Sequence, residues 1–277
     1  MRKNKCKSMT NQLKYTLIFV ILAVFTGCRN DDEGKLTFEM LESEKTIRLS
    51  NEELSPVCNV SLKLPCATKE SGEVGKNINE AVVYRLFNQA DMGMQGAMDQ
   101  FAEAYTMSYK TNMLPLYNAD RADTTKRSWY EFHYIINATT EQTSKRTLAY
   151  LATIDYSEGH ANSIHQLIPL NFKVETGKEI RMKDIFVDGY ETQLPPVLLK
   201  ALMEKTESQN LDQLKEKGYL DQVEMYVPEN FIVSDNTITF IFNPSEIASL
   251  ELGTIELVLT YAQLKKFVKP AFIKSVQ

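Results

Sequence analysis

The most regular patterning in the chain lies between Asn230 and Val268. Ile238, Phe240 and Phe242 alternate with Thr237, Thr239 and Ile241, and Ile255, Leu257 and Leu259 alternate with Glu256, Val258 and Thr260. A period of two predicts half-buried antiparallel strands. Asp235-Asn236 predicts the turn between the first two strands, because both residues tolerate left-handed backbone and bond their own chain. Leu264, Phe267 and Val268 follow Tyr261 at helical spacing. That spacing predicts a terminal amphipathic helix, stopped by Pro270.

Upstream, the same reasoning predicts strands over Lys45–Leu49, Val57–Leu64, Trp129–Asn137, Arg146–Tyr156 and Ile168–Val174. The stretches 129–137 and 146–156 are expected in one antiparallel sheet. Thr68–Lys76 is polar and reads as a loop, with Asn77 capping a helix to about Ala90. A second helix is expected over Gln95–Lys110, and Pro115–Arg127 reads as an exposed connection. Met92, Met94 and Met98 read as core residues at helical spacing, not as soft-metal ligands. Glu175-Thr176-Gly177-Lys178 predicts a turn with Gly177 at positive φ. Leu194–Lys205 predicts a helix with Pro195 and Pro196 in its first turn. Asn210 caps a short helix that ends at Gly218. The fold class is therefore α+β: two subdomains, each an antiparallel sheet packed with helices.

The beginning of the chain differs in kind. Residues 1–27 carry five basic groups and no acidic ones, around an apolar run from Tyr15 to Phe25. That run is about half the roughly 20 residues of a membrane span and has the size of a secretory h-region. Phe25-Thr26-Gly27-Cys28 then resembles a bacterial lipobox, although phenylalanine stands where leucine is usual. The resemblance implies lipid attachment at Cys28 and anchorage to a lipid bilayer; an uncleaved signal anchor is the competing reading. The following Arg29–Gly34 is hydrophilic and acidic, a solvated tether. It also resembles the export signal of surface lipoproteins, which implies an outer-membrane lipoprotein exposed on the cell surface. The expected divisions are a signal peptide over 1–27, a tether over 28–35, and subdomains over 36–155 and 156–277.

Charge follows from this division. The chain has 31 Lys and Arg against 36 Asp and Glu, so without the leader 26 bases face 36 acids. An acidic exported domain argues against nucleic acid, whose phosphates call for a basic stripe, and is compatible with a cationic partner. Of four cysteines, only Cys58 and Cys66 lie within the expected subdomains. If 58–66 is a strand it spans about 26 Å, too long for a disulfide, so buried thiols are expected. Asp123-Thr124-Thr125 resembles a short O-glycosylation motif.

One resemblance covers much of the chain. Asn171–Phe186 (NFKVETGKEIRMKDIF), with Phe231–Tyr261, resembles the extracytoplasmic domain-of-unknown-function family seen in RsiV and PdaC, a lysozyme-sensing anti-sigma factor and a peptidoglycan deacetylase. The TGK turn, the DIF segment and the FNPxEIA run carry the likeness. The family's Gly-Gly-Ala-His loop is reduced to Glu158-Gly159-His160-Ala161. Ser245 replaces a customary tyrosine, and Ala248-Ser249-Leu250 replaces Ala-Pro-Tyr. Val57–Ala90 is similar to the partner domain that often precedes it. No sigma-factor-binding or deacetylase unit is expected, so the resemblance implies the sensory or binding module alone.

Motifs for a nucleophile elbow, a phosphate loop, H-E-x-x-H or paired C-x-x-C do not occur. Asp155, Glu158, His160 and His165 are titratable groups around one loop, but His-x4-His is not a usual zinc spacing; neither metal nor cofactor is expected. Glu158 and His160 are the candidate binding loop. The expectation is a lipid-anchored, non-enzymatic binding or sensing module for lysozyme or peptidoglycan. Two other readings stand beside it. One is a glycan- or peptidoglycan-modifying enzyme using loop carboxylates, and the other is a structural envelope lipoprotein.

Overall fold

The computed structural model describes residues 36–159 and 163–276. Cys28 and His160 lie outside the described residues. Among the described residues nine strands and seven α-helices run, in chain order, β1 (Phe38–Arg48), β2 (Val57–Ala67), α1 (Gly72–Phe87), α2 (Met94–Asp120), β3 (Phe132–Gln142), β4 (Thr147–Glu158), β5 (Ile164–Lys173), β6 (Glu179–Ile180), α3 (Met182–Ile185), α4 (Tyr190–Gln193), α5 (Pro195–Lys205), α6 (Leu211–Glu216), β7 (Phe231–Val233), β8 (Thr237–Phe242), β9 (Ile255–Thr260) and α7 (Pro270–Val276). Strands β1 to β6 form one sheet in sequence order, and β7, β8 and β9 form a second, antiparallel sheet. The class is α+β, as expected.

The first sheet departs from a purely antiparallel plan at one junction. Strands β2 and β3 pair parallel, Cys58 opposite Phe132 and Lys63 opposite Asn137. A parallel pair needs a long crossover, and α1 with α2 supplies it. Both helices lie on one face, where Val60, Leu62 and Leu64 meet Ile78, Val82, Met98 and Ala102. Met94 and Met98 are buried there, in the core role their spacing predicts. Cys58 and Cys66 sit on the single strand β2 as free thiols, the first buried and the second half-buried. This first core continues to Phe172 and Val174, and the second begins at Ile180. Packing thus divides between residues 174 and 180, β5 lying on the first core and Ile180 of β6 on the second.

Four local expectations differ from the structure. The helix expected from Asn77 starts at Gly72, so 72–76 is helix, not loop. Asn77 lies inside it and donates its amide to the Thr176 carbonyl at 2.9 Å. Helix α2 runs on to Asp120 with Pro115 inside it, so much of the expected 115–127 connection is helical. Strand β2 passes through Pro65 to Ala67, with Pro65 opposite Met40 of β1. Finally, residues after Tyr261 form turns, and Pro270 opens α7 instead of closing a helix. The cause is tertiary. Val268 bridges Phe186, and the Lys269 N–H donates to the Ile185 carbonyl at 2.8 Å. This extended pairing breaks the helical run, and Pro at a first helical position needs no N–H partner.

The second core packs Phe240, Phe242, Leu257 and Leu259 against Leu198 and Leu202 of α5 and Phe272 and Val276 of α7. Asn210 caps α6 as its sequence predicts, its Oδ1 accepting the Gln213 N–H at 2.9 Å.

Two buried asparagines join the sheets. Asn171 of β5 donates its amide to the Phe231 carbonyl at 2.7 Å and accepts the Val233 N–H at 2.9 Å. Asn243, just after β8, accepts the Leu167 N–H at 2.7 Å and donates to the Leu167 carbonyl at 3.3 Å. Each side-chain amide mimics a neighbouring strand, satisfying backbone groups that burial would otherwise leave unpaired.

Candidate functional site

Strand β4 carries the candidate carboxylates, and the pleat decides where they go. Successive side chains on a strand point to opposite faces, so Asp155 and Glu158, three apart, cannot share one. Glu158 lies opposite Phe132 in the β3–β4 register, on the helix-covered side. There it accepts the Tyr105 hydroxyl of α2 at 3.2 Å. Burial pushes the Tyr105 hydroxyl well above the usual phenol range, and the Glu158 charge pushes it further. Burial first, and then the same carboxylate, push the Cys58 thiol up to about 12, which leaves it a poor nucleophile.

Asp155 projects from the other face. Its direct neighbours are Ile135 on β3 and His165 on β5. His165 Nδ1 lies 3.0 Å from Asp155 Oδ2, and His133 Nε2, one diagonal away, lies 2.9 Å from Oδ1. An ionised carboxylate only accepts hydrogen bonds, so each ring donates its near N–H. Among the described residues no group of three His, Cys, Asp or Glu side chains could hold a metal ion.

A groove of about 660 Å³ adjoins His165, lined also by Ser163, Pro244, Leu250, Glu251 and Thr254. Leu250 exposes 39% of its surface here. The Asn243 clip on Leu167 ties the two walls together, two residues from His165 on one side and one residue from Pro244 on the other. The Glu246 N–H donates to the Asn243 carbonyl at 3.1 Å, closing a turn with Pro244 second and Ser245 third at φ 68°. That is a type II turn, whose third position favours glycine. The two departures noted in the sequence, Ser245 and Ala248–Leu250, therefore both fall beside this groove.

The TGK turn has a structural explanation. Gly177 has φ 65°, and a Cβ there would lie 2.1 Å from the Val74 carbonyl oxygen. The turn docks on α1 at a second cavity of about 390 Å³, where Glu179 pairs with Arg181 at 2.6 Å. Thr124 and Thr125 are exposed, and Asp123 Oδ1 accepts from the Thr125 N–H at 3.1 Å.

Along the sequence, Asp155, Glu158, His160 and His165 surround one loop. The structure joins Asp155 to His165, sends Glu158 to the opposite face, and adds His133 from β3. The signal for His133 was its place on the polar face of its strand. The pairing itself had none, since it rests on cross-strand register.

Residues 183–262 match the family model described as "Protein of unknown function (DUF3298)". The fold is that of solved DUF3298 proteins. A member of this family from Bacteroides fragilis NCTC 9343 superposes with a TM-score of 0.80 at 21% identity, over 88% of this chain and 98% of that one. A DUF3298 protein from Pseudomonas aeruginosa PAO1 gives 0.56 at 14% identity, over 85% and 95%. No curated protein matches the sequence. Among the described residues no helix is long and apolar enough to cross a membrane.

Proposed function

We propose that the chain is an exported, lipid-anchored binding module of the cell envelope, attached through Cys28 to the outer membrane, and that its ligand site is the groove beside His165. The observation that carries this reading is the groove's construction. Its walls are clipped together by Asn243, and its lining sets Pro244 and the exposed Leu250 beside the carboxylate of Glu251. An apolar rim around an acidic group suits a cationic protein surface, where desolvated contacts hold and charge steers the approach. A lysozyme is the first partner to test, in keeping with the RsiV-like resemblance and the acidic balance of residues 28–277; cell-wall glycan is the second. The opposite directions of Asp155 and Glu158 favour binding over two-carboxylate hydrolysis, which needs both groups to flank one bond.

The test is calorimetric titration of the full chain with lysozyme in physiological salt, repeated for Glu251→Lys and His165→Ala. Binding that Glu251→Lys weakens tenfold or more supports the site. Absence of heat at high micromolar lysozyme removes that partner, and soluble peptidoglycan fragments are then titrated against the same variants.

A further inference from the structure

Charge is unevenly divided along this chain. Residues 257–277 contain four lysines and no Asp or Glu, in a sequence with more acid than base overall. The fold sets this segment beside two other basic stretches. Val268 bridges Phe186, and Lys269 Nζ donates to the Lys183 carbonyl. Arg146, at the β3–β4 hairpin, donates to the Lys274 carbonyl at 3.4 Å, and Ser144 donates to the Val276 carbonyl at 3.3 Å. Lys145, Arg146, Lys183, Lys265, Lys266 and Lys274 thus collect on one corner, all exposed. None of the six is in an ion pair among the described residues. Acids also lie along these segments: Glu141, Glu175, Asp184 and Asp188, with Asp235 close to Tyr261. Glu179 is paired with Arg181 at 2.6 Å, and Asp184 accepts the Arg181 N–H at 2.9 Å.

The corner's position along the sheet matters as much as its charge. Phe38 pairs with Ala67, and β2 runs parallel to β3, so the start of β1 and the β3–β4 hairpin lie at the same end. Three strand spacings, about 14 Å, separate β1 from β4. The described chain therefore begins, at Leu36, on the side that carries the basic corner. Leu36 is eight residues on from Cys28, a reach of at most about 28 Å.

We infer that this basic corner docks against an anionic phospholipid surface. The inference rests on Cys28 as the lipid-bearing residue. A lipid chain combined with a basic patch is a two-signal attachment, in which the anchor brings the cations to the interface and the headgroups hold them there. Docking in this way fixes which end of the sheet faces the bilayer. His165, at the start of β5, then lies a strand's length away, about 30 Å, with its groove turned outward.

The experiment uses the full lipidated chain in vesicles of phosphatidylcholine, with or without phosphatidylglycerol. Mass spectrometry establishes the diacylglyceryl group on Cys28, and hydrogen exchange is followed at residues 143–146, 181–187 and 262–276. Exchange in these segments is expected to slow several-fold in anionic vesicles only, and to recover in high salt. Lys265→Glu/Lys266→Glu/Lys274→Glu, all at exposed positions without ion pairs, should abolish the difference while leaving exchange in β2 unchanged. Equal exchange in both vesicles with the lipid in place overturns the docking. So does protection by a soluble anionic polysaccharide that exceeds that by anionic vesicles. Protection without lipid on Cys28 supports the surface contact and removes the anchor instead.

Discussion

Asn243 holds Leu167 on both sides, accepting its N–H at 2.7 Å and donating to its carbonyl at 3.3 Å. The contact joins the second sheet to β5 at the edge of the groove. Replacing Asn243 with Ala would leave both Leu167 groups without protein partners, and about 1–3 kcal/mol of stability should be lost. Urea unfolding measures the loss, and exchange at the Leu167 amide should accelerate more than that of Val60. Equal acceleration at both would show that the amide is a general packing element and not a clip.

Glycine substitutions should separate steric need from backbone strain. Gly177 and Gly253 have nearly the same φ, 65° and 67°, but a Cβ at 177 meets the Val74 carbonyl at 2.1 Å whereas one at 253 meets nothing within 4 Å. Gly253→Ala should therefore cost only the backbone strain of φ 67°, ψ −152°, a region nearly confined to glycine, about 1–3 kcal/mol. Gly177→Ala adds displacement of the turn from α1 and should cost more, with loss of the Asn77–Thr176 hydrogen bond. Equal thermal shifts for the two variants would contradict the docking role of the TGK turn.

Ser245 occupies the third position of a type II turn at φ 68°. Ser245→Gly relieves that strain and should raise stability by a few tenths to about 1 kcal/mol. Because the change lies beside the groove and not in its lining, affinity for a groove ligand should stay within twofold. A drop in the unfolding midpoint would show that the serine side chain is needed where it stands.

Alkaline pH should destabilise the protein as groups raised by folding lose their protons, Cys58 and Tyr130 among them. Burial, and secondarily the Glu158 charge, raise the Cys58 thiol from 9.0 to about 12. The hydrogen bond to Asp120 is the main reason that Tyr130 rises from 10.0 to about 12. Both groups bind protons more tightly in the folded state, so their contribution is complete below the unfolded values and is lost as pH climbs to 12. Stability should fall from about pH 9 upward, and Cys58→Ala should flatten the first part of that fall. Native-state alkylation at pH 8 should leave Cys58 unmodified. Rapid labelling there would contradict the burial of the thiol.

In acid the sign reverses. Lys126 and Tyr130 both donate to Asp120, at 2.7 Å each, and hold its carboxyl below the usual range. That contribution is present above the unfolded carboxylate value near 4 and disappears as pH falls through the lower folded value. Asp120→Asn should flatten the acid limb of the stability curve, and an unchanged limb would place the acid sensitivity elsewhere.

Much of this architecture was legible in the residues themselves. Alternation located β8, β9, β2 and β4, because each strand has one face against a core and the pleat imposes a period of two. Asn210 and Gly177 announced a cap and a turn through their own chemistry. Neither the Asp155–His133–His165 bridge nor the two asparagine clips had such a signal. Their partners lie up to 76 residues away for Asn243 and Leu167, and nothing in a local window distinguishes a buried amide that mimics a strand from a polar loop residue.

The sequence by itself determined which segments bury an apolar face and where turns and caps fall, since those depend on side chains a few residues apart. Tertiary structure decided the rest. It set β2 parallel to β3, drew β5 and β6 into the first sheet, and made Pro270 the first residue of a helix once Val268 had paired with Phe186. It also brought His133 and His165 to Asp155 and covered the Glu158 face with helix, because strand register and the faces covered by neighbouring elements are properties of the whole packed chain.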